Sequence, residues 1–318
     1  MFVITVAFGK AYIDRFFSLA LYSLMNEDNL PAIHGETLTL LVATVDEDVP
    51  LVREWFETKN VRAVFGSNVE CISLCKNRLR AESGDHLLAP RIGYHLVMEM
   101  AHAVMKTGES FMFCFSDNIY ARGSASTAWS LHKLTGKIVT QFNGRVVARE
   151  NDPDFYQSCI AERYGVMNTF LSDKTPNWHA ISTSNQEALN LTDYSQKMIV
   201  NDDSVYIFSS VHSPFVGKFQ PEDIAILLEG GMLGAWDHIW GAYLTRTNRM
   251  MPQTNLNLGM SIEPDTIERA QLNHRRTEIG RRETRLNQNR YLTLLRDFGD
   301  PELALRQYSV ERGDNRIC

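Results

Sequence analysis

The stretch Lys106–Gly123, KTGESFMFCFSDNIYARG, decides the fold. It reads as the last residues of a helix, a turn at Thr107-Gly108, and an aromatic-rich apolar run from Phe111 to Phe115. A short apolar run bounded by a turn is the pattern of a strand buried on both faces of a parallel sheet. Such a strand delivers Ser116-Asp117-Asn118 to its carboxyl end, where ligands sit in open α/β sheets. A carboxylate and an amide there offer hard oxygen ligands to a divalent cation. A cation so held can neutralise a diphosphate. The plainer alternative is a turn and nothing more, because Ser, Asp and Asn side chains all bond nearby backbone groups.

Upstream, the pattern alternates between strand and helix. Phe2–Phe8 (FVITVAF) is a β-branched strand pattern, and apolar residues from Tyr12 to Met25 recur at helical spacing. Leu38–Val45 (LTLLVATV) reads as a second strand ending in Asp46-Glu47-Asp48, and Pro50 opens a helix running to about Thr58. Val61–Phe65 reads as a short strand and Cys71–Leu74 as another extended piece. Ala89–Met105 reads as a long helix feeding the strand at Phe111. This order predicts right-handed βαβ units and a mostly parallel sheet.

Downstream, a helix is expected over Ala125–Leu134. Asn143-Gly144 signals a hairpin between Ile138–Phe142 and Arg145–Ala148. Residues 151–203 are polar and read as an insertion with some helix. A strand follows at Val205–Ser209, then a helix over Pro221–Leu228 ending at Gly230-Gly231. Ala235–Leu244 again looks helical. From residue 261 to 318 the expectation is a separate, basic, helical extension with helices over Asp265–Ile279 and Glu283–Phe298. The first domain spans residues 1–260.

The chain has 318 residues, 44% of them hydrophobic and 22% charged, with a net charge of −6. That composition is ordinary for a globular protein. The negative balance argues against a general nucleic-acid binder. Five cysteines without a CxxC pair suggest neither a disulfide framework nor a zinc site, so reduced thiols in the cytoplasm are expected. The opening MFVITVAFGK does not have the basic-then-apolar pattern of a signal peptide, and no apolar run approaches the roughly 18 residues needed to span a bilayer. Membrane contact, if any, would be peripheral.

Three other stretches bear on chemistry. Ala7-Phe8-Gly9, with Tyr12 just after, follows the first strand, where a glycine permits close backbone approach to a nucleotide. Asp46 can accept hydrogen bonds from a base or ribose, or simply keep its loop solvated. Arg91 sits at a helix start, which is unfavourable for the helix dipole unless it faces a phosphate. Glu229-Gly230-Gly231 leads to Trp236-Asp237-His238, where a carboxylate could deprotonate an acceptor hydroxyl. His212 reads as a metal ligand or as a core histidine.

In this order the stretches TVAFG, VDED, PRIGYH, TGESFMFCFSDN, GGMLGAWDH and RLNQNRYLTLLRDFG resemble the GT-A glycosyltransferases, most closely glycosyltransferase family 2. The resemblance spans most of residues 1–300. It implies a Rossmann-like sheet flanked by helices, a nucleoside-diphosphate sugar donor, and transfer to a hydroxyl of a glycan or lipid-linked acceptor, with inversion. It also implies Mn2+ or Mg2+ held by Asp117 with Asn118 or His212. Ala7, Phe8, Gly9, Tyr12, Asp46, Arg91, Ser116 and Asp117 would bind the donor, Trp236 and His238 the acceptor, and Asp237 would be the base. Bacterial-type glycan or polysaccharide assembly, in the cytoplasm or on the inner face of the membrane, is the setting the family implies. The basic C-terminal helices would then contact the membrane or a second copy of the chain. Two positions depart from the family pattern: Ser116 and Asn118 flank Asp117 where aspartates are usual, and Trp236 precedes Asp237 where a glutamate is usual. Two alternatives stay open, a non-catalytic nucleotide-sugar or glycan-binding relative and a sugar-phosphate nucleotidyltransferase.

Overall fold

The computed structural model describes residues 1–75, 88–147, 159–161, 180–182, 196–200, 204–209, 213–232, 240–241, 243–244, 247–251, 258–263 and 306–311. The chain opens with β1 (Phe2–Val6), followed by α1 (Lys10–Arg15), which passes through a π-helical turn (Phe16–Ala20) into α2 (Leu21–Leu24). Then come β2 (Thr39–Val45), α3 (Val49–Phe56), α4 (Lys59–Phe65), β3 (Val69–Leu74) and the long α5 (Leu88–Thr107). β4 (Phe111–Phe113) and β5 (Asn118–Tyr120) follow, then α6 (Ser124–Thr135) and β6 (Ile138–Val147). The later elements are β7 (Ala180–Ser182), β8 (Gln196–Val200), β9 (Ser204–Ser209), β10 (Ser213–Gly217), α7 (Pro221–Met232), β11 (Met250–Met251), β12 (Leu258–Glu263) and β13 (Arg306–Glu311).

The main sheet runs β3-β2-β1-β4-β10-β6-β12-β5, with β11 also pairing β6. The first four strands are parallel; β10 lies antiparallel between β4 and β6. This is the α/β, mostly parallel mixed sheet flanked by helices that the alternating pattern predicts. A separate four-stranded sheet has the order β13-β9-β8-β7.

Side-chain alternation along the parallel strands builds two apolar layers. Val3 and Ala7 of β1 and its loop, Leu40 and Val42 of β2, and Met112 of β4 join α1 to α4 on one face. Phe2, Ile4, Leu41, Ala43, Phe111 and Phe113 join α5 and α7 on the other. Because both faces are covered, the strands read as unbroken apolar runs. On the α5 side Phe111 stacks on Phe219 at 4.1 Å, and Phe219 stacks in turn on Trp240 at 5.3 Å.

Three expectations are corrected. Val61–Phe65 is helical, not a strand: Val61 and Phe65 are four apart and both buried on one side of α4, which ends at Gly66 with φ 60°. Asn143-Gly144 is not a hairpin. β6 runs straight through it, pairing β10 over its first half and β12, in parallel, over its second. A tight hairpin would need both residues in the left-handed region, and distant strands claim their backbone groups instead. The helix from Pro221 does not stop at Gly230-Gly231 but continues to Met232. Within the 151–203 stretch, residues 159–161 are helical and β7 and β8 are strands. The described residues of 261–318 are 261–263 and 306–311, both strand; the helices expected there lie outside the described residues. No helix among the described residues is long and apolar enough to cross a membrane.

Candidate functional site

Parallel strands put the ends of β1, β2 and β4 on one edge of the sheet, and the loops leaving them form the candidate site. Ala7 continues β1 by donating its N–H to Ala43 O at 3.0 Å and is buried. Gly9 then adopts φ 78°, in the left-handed region glycine favours, and its N–H donates to Asp48 Oδ2 at 2.6 Å. The loop after β1 is thus tethered to the acidic turn after β2. Asp46 opens that turn and is exposed. Tyr12 lies one turn into α1, its N–H bonded to Gly9 O at 3.0 Å. It is 51% exposed, and its ring sits 5.6 Å from the Arg15 guanidinium carbon.

α5 runs back antiparallel to the strands, so its amino end reaches the same edge. Arg91 lies in its first turn. A Cβ added at Gly93 would stand 3.9 Å from Phe8 Cε1, which places the start of this helix directly against the loop after β1. Phe8, Tyr94 and Phe115 pack against the apolar layer beneath. Burial raises the Tyr94 phenol pKa, so it stays un-ionised.

Ser116-Asp117 forms the turn out of β4. Thr5 Oγ1 donates to Cys114 O at 2.7 Å, locking β1 to β4 just before it. The Phe115 N–H donates to the Tyr120 hydroxyl at 2.9 Å, which closes the turn from its far side. Burial holds the Tyr120 phenol and the Cys114 thiol well above their ordinary pKa values, so neither ionises. Ser116 and Asp117 are half-buried. Asn118 is 2% exposed in β5, across from Ser261 of β12, and its Nδ2 is without a partner among the described residues.

Sequence reading passed over Asn29. Its amide donates to Ser23 O at 2.9 Å and Ala121 O at 3.2 Å, and its Oδ1 accepts from the Ala125 N–H at 3.1 Å. Arg122 pairs with Glu27 and Asp28 next to it. This cluster fixes the chain leaving β5 onto the helix layer and so holds the Ser116-Asp117 turn from behind.

The structure therefore brings Ala7, Phe8, Gly9, Tyr12, Asp46, Arg91, Ser116 and Asp117 to one edge. His212, Trp236, Asp237 and His238 lie outside the described residues. Among the described residues no three His, Cys, Asp or Glu side chains gather as a preformed metal cage. The turn itself carries one carboxylate and one hydroxyl, and the amide of Asn118 beside it is buried in β5. Hard oxygens of this kind are the ligand type that could hold Mg2+ or Mn2+.

No protein-family model matches the chain, and no curated protein matches it. Among solved structures it is similar to the galactosyltransferase LgtC in complex with donor and acceptor sugar analogues: 12% identity, TM-score 0.30, covering 51% of this chain and 53% of that one. An active-site mutant of LgtC is similar at 13% identity and TM-score 0.29, covering 50% and 51%. Mouse xyloside xylosyltransferase 1 in its apo form is similar at 12% identity and TM-score 0.29, covering 50% and 57%. The chain spans about half the length of each.

Proposed function

We propose that this protein is a glycosyltransferase that takes its sugar from a nucleoside diphosphate. The observation that carries the reading is the convergence at one sheet edge of a glycine loop bound through its N–H to Asp48, the amino end of a 20-residue helix, and the Asp117 turn. The three match the parts of a nucleotide sugar. The glycine loop admits the nucleoside closely, with Tyr12 and Asp46 beside it. A helix start favours an anion through its dipole, and Arg91 in the first turn of α5 would add a cation. Asp117, with Ser116 and Asn118 nearby, would hold a divalent cation against the diphosphate, His212 being a further candidate ligand. Such a cation stabilises the charge that develops on the departing diphosphate.

In this reading Asp237 removes the proton from the acceptor hydroxyl, with Trp236 and His238 contacting a glycan or lipid-linked acceptor, and a single displacement inverts the anomeric centre. A bacterial-type polysaccharide pathway on the cytoplasmic side of a membrane is the setting proposed.

The test is a thermal-shift panel of UDP, GDP, CDP and ADP, each with and without Mn2+ or Mg2+. A ligand that binds the native state raises the melting temperature by mass action. One diphosphate should shift it, more so with metal, while metal alone does little; Asp117→Ala should remove the metal-dependent part. No shift with any diphosphate, in a protein that is folded, overturns the proposal. Proton NMR of the product would then decide inversion against retention.

A further inference from the structure

The opposite, amino-terminal edge of the sheet carries a second concavity that the proposed donor site does not use. Ser110 immediately precedes β4, Ile138 begins β6, and Lys218 follows β10. Between them opens a cleft of about 420 Å³ lined by Ser110, His132, Lys133, Lys137, Lys218 and Arg249. Four cations around one cleft are not the background of a chain whose net charge is −6.

Among the described residues two of these cations are matched by a carboxylate and two are not. Arg249 makes a two-pronged pair with the buried carboxylate of Asp223, both contacts at 2.8 Å, and Lys133 Nζ lies 3.1 Å from Glu36 Oε1. Among the described residues Lys137 Nζ donates only to the neutral Asn248 Oδ1, at 2.8 Å. Lys218 is exposed and has no ion pair among the described residues. The lining therefore presents about two unbalanced positive charges, with neutral donors beside them. His132 donates from Nδ1 to the Lys137 carbonyl at 2.7 Å, which leaves Nε2 toward Ser110 Oγ at 3.0 Å. The shape is also held in place. Asn248 sits at φ 55°, the one left-handed non-glycine among the described residues. Its turn sets both the Lys137 contact and the Arg249 backbone, whose carbonyl accepts the Ile138 N–H at 2.8 Å. A backbone conformation that costs stability is kept where surrounding structure demands it.

We propose that this cleft binds a phosphomonoester dianion, with Lys137 and Lys218 as its charge partners. The two unmatched cations equal the charge of one such group. The volume exceeds that of a bare phosphate, so a small organic group attached to the phosphate has room. This site lies at the other end of β4 from the Asp117 turn and does not depend on the donor reading.

The experiment titrates inorganic phosphate, then glycerol 3-phosphate, into the full chain at ionic strength held constant with chloride. Calorimetry and the His132 ring resonances are followed. A parallel arm tests flotation with vesicles containing phosphatidic acid, which carries the same group on a lipid. Saturable binding to the soluble esters or to the vesicles supports the proposal and names the source. Lys137→Gln or Lys218→Gln should each weaken it about tenfold, as loss of one charge-assisted contact does. Binding undiminished in the double variant, a response that chloride reproduces, or no binding in either arm overturns it. Circular dichroism on the variants separates lost binding from lost fold.

Discussion

Through one bond, Asp48 Oδ2 to the Gly9 N–H at 2.6 Å, the end of β2 holds the loop leaving β1. The contact is exposed, so its worth to stability is small, but it fixes the loop that the proposed function gives to the nucleotide. Asp48→Ala should weaken nucleoside-diphosphate binding about five- to tenfold while lowering the melting temperature only slightly. Calorimetry beside a thermal melt checks this, and unchanged affinity would refute it. No rule of composition says which of the three adjacent carboxylates Asp46, Glu47 and Asp48 a tight turn points back at the neighbouring loop; here it is Asp48. The placement of Gly9 and Asp117 just past a strand is legible, since each follows a strand pattern; the role of Asn29 is not, since its partners Ser23, Ala121 and Ala125 come from elements that only the fold brings together. His132 gives a second prediction at this scale. Burial lowers its pKa from 6.5; the Lys137 carbonyl opposes this, and Lys133 and Lys218 add to the lowering. The unfolded chain therefore takes up the proton more readily. The stability contributed is full above pH 6.5 and is lost as pH falls below that value. Melting temperatures measured from pH 7.5 to 5 should fall more steeply for the native protein than for His132→Gln. Parallel slopes would contradict this.

At one central position the absence of a side chain lets β10 lie close over Ile138 of β6. A Cβ on Gly217 in β10 would meet Ile138 Cγ1 at 2.5 Å and Ile138 Cβ at 3.2 Å. Gly217→Ala must push β10 away from β6 or Ile138 off its rotamer, at a cost of about 1–3 kcal/mol. The cost should shrink in an Ile138→Ala background, and a double-mutant cycle by denaturant unfolding measures it. Equal costs in both backgrounds would mean that Ile138 is not what the new methyl meets. Strands with long apolar runs, such as β1 and β2, are legible because both faces of the sheet are covered. Val61–Phe65 was too short for its period to separate strand from helix. Asn143-Gly144 misled because a local turn signal competes with strand partners that arrive from residues 213–217 and 258–263, which no local window contains.

For the whole molecule, the parallel strands create two chemically different ends: a carboxyl edge with Asp48, Asp117 and the start of α5, and an amino edge rich in lysine. The same topology sets an order of assembly. β1 to β4 and the helices between them are contiguous in the chain, whereas Met112 of β4 finds Val216 of β10 only about a hundred residues later. At ordinary synthesis rates of about 5–20 residues per second, β4 waits about 5–20 s with one edge unpaired and Phe111, Met112 and Phe113 in reach of other chains. A chain ended at residue 203 is in that state permanently and should aggregate where the full chain does not, as light scattering at equal concentration would report. A folded, monomeric fragment of that length would show that something else covers the edge. The antiparallel strand β10 is thus a late-arriving guard: the protein's hazard is greatest while it is still being made.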